Sequence, residues 1–211
     1  MKTQELIGLL AQGAESVRPA VRKHLLRAGL LGTVACALLL GLWGVNPHMN
    51  EMAAQPVFAT KMVWLFLLMG WSAYGLQRLA RPGVRARSSW VGLGLSVLLM
   101  VVLGLAQWLQ SPADVRMGQW LGHSWNSCAL SIAALALPVL LCLLWGLRQL
   151  APTSPVWAGA AAGALAGSIA ASVYSLHCTE TGFAFFATWY VTGMAAVTLL
   201  GATLGSRFLR W

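Results

Sequence analysis

Six apolar stretches, each about 20 residues long, run through this chain of 211 residues, and about 20 apolar residues is the length a helix needs to span the hydrocarbon core of a bilayer. They fall at residues 27–45, 57–77, 90–108, 125–147, 156–175 and 184–206. A backbone in lipid must satisfy its own hydrogen bonds, which selects helices unless strands close into a barrel. A barrel would show in–out alternation along short segments, and these stretches show none. A soluble fold fails for want of surface: 9% of the residues are charged and 58% are hydrophobic, against about 25% charged in ordinary globular proteins. The expected fold class is an all-α membrane protein, a bundle of six transmembrane helices behind a short amphipathic N-terminal segment. The expected division is a tail at residues 1–26 and one membrane domain at 27–211. The first stretch follows a long polar segment and precedes no small-residue cleavage site, so it is expected to stay as a span rather than leave as a signal peptide.

The basic residues orient the bundle. Lys2, Arg18, Arg22, Lys23, Arg27, Arg78, Arg81, Arg85, Arg87, Arg148, Arg207 and Arg210 all fall on one side of the expected membrane. Only Arg116, and Lys61 at the entrance of the second span, fall on the other. Positive residues favour the cytoplasmic side, so both termini are expected in the cytoplasm of a bacterial inner membrane, with the lipid bilayer as one partner. The net charge of +9 is spread over connections rather than one solvated face, which argues against direct nucleic-acid binding. Trp43, Trp90, Trp108, Trp120, Trp125 and Trp211 lie near expected span ends, where amphipathic rings favour the interface. Gly159, Gly163 and Gly167 share one face of the fifth span, a pattern that lets a neighbouring helix approach closely. Pro138 interrupts the hydrogen-bond ladder of the fourth.

Coupled transporters carry ionisable residues at mid-bilayer depth. Here Glu51, Asp114 and Glu180 fall in outer connections and Glu5 and Glu15 in the tail, and no buried acidic or basic residue is expected. No phosphate loop, HExxH or GxSxG motif is present, so the chain is expected not to be an enzyme. Cys36 and Cys142 fall inside spans, where cysteine acts as a small apolar residue. Cys128 and Cys178 fall at the outer, oxidising end, expected to be exposed there, where thiols can pair. His123 and His177 flank them in HSWNSC (123–128) and HC (177–178). Imidazole and thiolate suit zinc and similar metals, which makes Cys128, Cys178, His123 and His177 a candidate metal set; no other cofactor is expected. A permanent disulfide staple and a redox sensor remain open alternatives. No CxxC pair accompanies them, against a disulfide-forming enzyme.

In the tail, Thr3 can cap a short helix whose apolar face is Leu6, Ile7, Leu9 and Leu10, and Gly13 can end it. Residues 17–26 form a second short segment carrying Arg18, Arg22, Lys23 and His24. Such a leucine face can lie on an anionic leaflet or enter a partner's groove.

The chain resembles the NrsF-like negative regulators of extracytoplasmic-function sigma factors. The resemblance covers nearly its whole length: MKTQELIGLL at 1–10, VRP at 17–19, Ser127-Cys128, Pro138, LLWGLR at 143–148, YSLHC at 174–178, Trp189-Tyr190 and LGSRFLRW at 204–211. It implies an integral-membrane anti-sigma factor of six spans that holds an extracytoplasmic-function sigma factor and releases it under metal or oxidative stress. The family's paired cysteines correspond to Cys128 and Cys178, and its sigma-binding segment to the tail, with Thr3, Leu6, Ile7, Leu9 and Leu10 as the docking residues. Members often carry acidic residues after the opening Lys-Thr, where this chain has Gln4-Glu5. A change at the thiols is expected to reach the tail through the first helix and the 78–87 connection. The rival expectation is a small transporter or channel with structural cysteines.

Overall fold

The computed structural model describes residues 17–81, 83–150 and 152–209, with side chains from residue 21 onward. Its elements, all helical among the described residues, are α1 (Val17–Trp43), α2 (Met49–Ala53), α3 (Pro56–Leu79), α4 (Arg87–Gln110), α5 (Ala113–Leu121), α6 (Trp125–Arg148), α7 (Pro155–Tyr174) and α8 (Phe183–Phe208). Six of them, α1, α3, α4, α6, α7 and α8, have spans long and apolar enough to cross a membrane. The all-α fold class and the six long helices match the expectation. One boundary differs: residues 17–26 form no separate segment, because α1 runs unbroken from Val17. Pro19 stands in its first turn, where proline's missing N–H leaves no ladder bond unmade. At 27 residues, α1 is about 40 Å long.

Proline and glycine punctuate the rest. Pro56 and Pro155 open α3 and α7 at the first helical position, and Pro138 lies within α6, which continues through it.

The centre of the bundle is α7, buried almost all round from Ala158 to Ala171. Only a helix of alanine and glycine is slim enough to be enclosed by α3, α6 and α8 at once. The glycine stripe packs on α8: a Cβ at Gly163 would lie 2.8 Å from the Thr198 Cα, and one at Gly159 2.8 Å from the Gly205 Cα. Both helices thus contribute glycines to one seam. A similar approach joins α1 to α6, where a Cβ at Gly32 would lie 2.6 Å from the Val139 Cα. Helix α4 lies on α3, tied by Trp64 Nε1 donating to the Ser96 carbonyl at 2.9 Å and Ser89 Oγ donating to the Trp71 carbonyl at 2.6 Å.

Outward faces carry the large apolar residues: Leu30, Leu38 and Leu42 on α1, Leu95 and Leu98 on α4, Leu130 and Leu141 on α6. A water-soluble monomer rarely shows apolar surface on this scale.

Candidate functional site

Cys128 and Cys178 come together at one end of the bundle, here called the thiol end. Cys128 stands in the first turn of α6, its N–H donating to the Ser124 carbonyl at 2.9 Å. Cys178 follows α7 on a turn whose N–H donates to the Tyr174 carbonyl at 3.0 Å. Both are free thiols, and both are buried, at 0% and 3% exposure. This corrects the expectation of an exposed pair. The connection from Ser175 to Gly182 is hydrogen-bonded back onto the bundle instead of standing away from it. The Tyr174 hydroxyl lies beside Cys128 and the Tyr190 hydroxyl beside Cys178.

That connection is strapped down at three places. His177 Nδ1 meets the Gly44 carbonyl at 2.7 Å, and the Asn46 N–H donates to the Leu176 carbonyl at 3.1 Å, fastening it to the end of α1. The Glu180 carboxylate accepts the N–H of His123 at 2.6 Å, the N–H of Ser124 at 3.2 Å and the Ser124 hydroxyl at 3.3 Å. An anion there complements the positive end of the α6 dipole. Farther on, the Phe183 N–H donates to Gln107 Oε1 on α4 at 2.7 Å. Gly122 makes the second fastening possible. Its φ of 61° and ψ of −169° belong to a region essentially confined to glycine, and a Cβ there would lie 2.7 Å from the Glu180 carboxyl carbon.

The four candidate metal ligands do not assemble. His177 is turned toward Gly44, and His123 is fully exposed, 3.9 Å from Glu180. Among the described residues no three His, Cys, Asp or Glu side chains converge, so a three- or four-ligand site from Cys128, Cys178, His123 and His177 does not fit this arrangement. Closeness in sequence misleads here, because successive residues of a turn and of a helix start point different ways. The tail residues Thr3, Leu6, Ile7, Leu9 and Leu10 lie outside the described residues.

A residue that sequence reasoning left aside belongs to the same neighbourhood. Lys61, in the second turn of α3, is 1% exposed rather than solvated at a span entrance. This corrects the expectation that no basic residue is buried. Its ammonium faces the rings of Phe186 at 4.7 Å, Tyr190 at 5.5 Å and Phe58 at 5.6 Å. Nζ has no hydrogen-bond partner. The cleft at its tip, bounded by Met52, Gln55, Glu180 and Thr181, is too narrow for a water molecule. Phe186 and Tyr190 bracket a π-helical stretch, Phe186–Tyr190, in which the Val191 N–H reaches back to the Phe186 carbonyl. Such stretches concentrate at functional sites. The signal in the sequence was one of two exceptions among the basic residues, a lysine five positions inside an apolar span with no acid on its own helix.

Comparison with known proteins bears on what this end serves. A family model described as "NrsF: Negative regulator of sigma F" matches residues 10–211. The "Anti-sigma-F factor NrsF" of Caulobacter vibrioides is 39% identical over 216 residues, covering all of both chains. The "Probable anti-sigma-F factor NrsF" of Azospira oryzae is 38% identical over 215 residues, again covering both in full. No solved structure matches.

Proposed function

Since the chain belongs to the NrsF family of negative regulators of sigma F, we propose that it is an integral-membrane anti-sigma factor whose target is a sigma factor of the extracytoplasmic-function class. Its work is regulation by binding rather than catalysis. The carrying observation is the match itself, which runs through residues 10–211. The protein sits in the bacterial inner membrane with both termini in the cytoplasm, a reading that the distribution of its arginines and lysines supports under the positive-inside rule. The tail, whose residues 17–26 already belong to α1, then holds the sigma factor through its first part, with Thr3, Leu6, Ile7, Leu9 and Leu10 as its docking residues.

Cys128 and Cys178 sense thiol-reactive stress, either an oxidant or a soft metal ion, at the periplasmic end. Two geometric facts support this assignment. The pair is brought together although 49 residues lie between its members, and the strap that carries Cys178 is fastened to the end of α1 through His177 and Gly44. The other end of α1 leads into the tail. A rearrangement of the strap after thiol modification therefore moves α1, and α1 carries the movement about 40 Å to the sigma-binding segment. Packing of Gly32 against Val139 couples the same helix to α6 and hence to Cys128.

Affinity capture of the full chain from detergent, with mass spectrometry of the proteins retained, tests binding. Retention of a sigma factor by the parent and its loss in Leu6→Asp/Leu10→Asp is expected; equal retention by both removes the docking face. Stress induction of the sigma factor's target genes, compared between parent and Cys128→Ser/Cys178→Ser, tests sensing. Unchanged induction refutes it.

A further inference from the structure

Building on the assignment of Cys128 and Cys178 as the sensing thiols, we propose that Lys61 is the activating cation of that site: its buried ammonium stabilises the thiolate through which Cys128 or Cys178 reacts. Among the described residues, Lys61 is the only charged side chain that is fully buried. An ammonium out of water needs an acceptor or an anion, and Nζ has neither. The three rings around it give cation–π attraction at centroid distances of 4.7 to 5.6 Å, and they leave its charge unneutralised. Around it lie the Tyr190 ring of α8 and, across the cleft at its tip, Glu180 on the strap, with Cys178 two residues before Glu180 and Cys128 on α6 as the other titratable groups of this neighbourhood.

Glu180 is already committed. Its carboxylate accepts two N–H groups and a hydroxyl at the start of α6. The two thiols are therefore the groups left to supply negative charge, and they do so when one loses its proton in reacting. Thiolates are the nucleophilic form, and reactive cysteines occur beside lysine or at helix N-termini. Cys128 stands in the first turn of α6, with Lys61 as the buried cation of its neighbourhood. Cys36 and Cys142 have neither, although Cys36 is equally buried. Burial alone would leave the pair inert, and the lysine is what separates it from a structural cysteine.

The test uses the purified full chain in detergent, reduced and then freed of reductant. Methanethiosulfonates are suitable probes: the thiolate attacks the reagent's sulfenyl sulfur, a protein–reagent disulfide forms, methanesulfinate leaves with the electron pair of the broken S–S bond, and the thiol proton passes to buffer. The neutral methyl reagent measures reactivity. The sulfonatoethyl and trimethylammonioethyl reagents, similar in size and opposite in charge, measure the field at the site, because the opening needed to reach a buried thiol cancels in their ratio. Peptide mass spectrometry assigns each rate to its cysteine, with Cys142 as the internal reference.

Lys61→Met is expected to slow the neutral reagent at Cys128 and Cys178 by about tenfold or more and to abolish the parent's preference for the anionic reagent, leaving Cys142 unchanged. Lys61→Arg is expected to keep the preference. Parental rates in Lys61→Met, or an anion preference that survives it, overturns the proposal. So does failure of Lys61→Met to assemble, because a cation that serves only the reacting state is not needed by the resting fold. These rates are read without any sigma factor. Loss of the sensing assignment, seen as normal release from Cys128→Ser/Cys178→Ser, is therefore a separate outcome from loss of the lysine's role.

Discussion

At one end of the bundle Arg78 leaves α3 in the open, its Nε donating to the Arg85 carbonyl at 2.9 Å and its Nη1 to the Tyr74 hydroxyl at 2.9 Å. At the other end of the same helix Lys61 is folded under the strap with no acceptor at all. A guanidinium at a wet boundary keeps its hydration and loses little by being there; an ammonium in a ring-lined box has given its hydration up. Arg78 is thus explained by where the helix ends, whereas Lys61 demands a reason. Charge count along a chain orients a bundle, and the charge that the fold buries without an acceptor marks the chemistry.

The largest effect that would break this comparison acts on the cover of the thiol end. Gly122→Ala forces a Cβ into a glycine-only backbone region, costing about 1–3 kcal/mol. It also drives that atom to 2.8 Å from the buried Phe185 ring, besides 2.7 Å from the Glu180 carboxyl carbon, an overpacking cost of about 1–3 kcal/mol. The sum, about 4 kcal/mol, is expected as a loss of stability in equilibrium unfolding in mixed micelles. It should come with faster alkylation of Cys128 and Cys178, since Glu180 can no longer hold the strap on α6. Parental stability with parental thiol rates would mean that the strap is not what covers the pair.

Much of the fold is legible in the sequence because membrane spans announce themselves by length and composition. The glycine stripe Gly159, Gly163 and Gly167 indicates a close seam, and the structure supplies its partners on α8, Gly201 and Gly205. The break expected near residue 26 is absent because basic residues are good helix formers and nothing between Val17 and Leu26 ends a helix. At the site, packing brings Cys128 and Cys178 together, and only their placement at the same end follows from topology. Their burial does not, because it depends on how the 175–182 strap lies. Nor does the fate of the histidines: His177 is claimed by the Gly44 carbonyl, a contact across 133 residues that no local pattern encodes. Lys61 is hidden for the same reason. Snorkelling to the interface is the default for a lysine near a span end, and only the packing of Phe58, Phe186 and Tyr190 over its tip prevents it.

A smaller effect, opposite in sign, sharpens the contrast. Lys61→Met removes a buried ammonium whose effective desolvation costs several kcal/mol and forfeits cation–π attraction of about 0.5–2 kcal/mol. Methionine fills most of the volume with a flexible apolar chain. The resting protein is therefore expected to gain about 1–3 kcal/mol, read as a higher unfolding midpoint in the same micelles. A loss instead would mean that an anion answers the ammonium in the resting state, which would move Lys61 from the reacting state to the ground state.

The smallest effect belongs to the basic end. Arg78→Gln removes one hydrogen bond to the turn between α3 and α4, at Arg85, and one to Tyr74 within α3, but both are exposed, and water replaces them as the side chain goes. Exposed charged groups contribute little to stability, so the unfolding midpoint is expected to stay at the parental value, and the alkylation rates of Cys128 and Cys178 with it. Topology is where this residue should register. Together with Arg81, Arg85 and Arg87 it holds the connection on the positive side, so replacing all four with glutamine should let a reporter placed in that connection appear on both sides of the membrane. If Arg78→Gln alone shifted the thiol rates, charge at one end would be acting on chemistry at the other, and the separation of the two ends would fail.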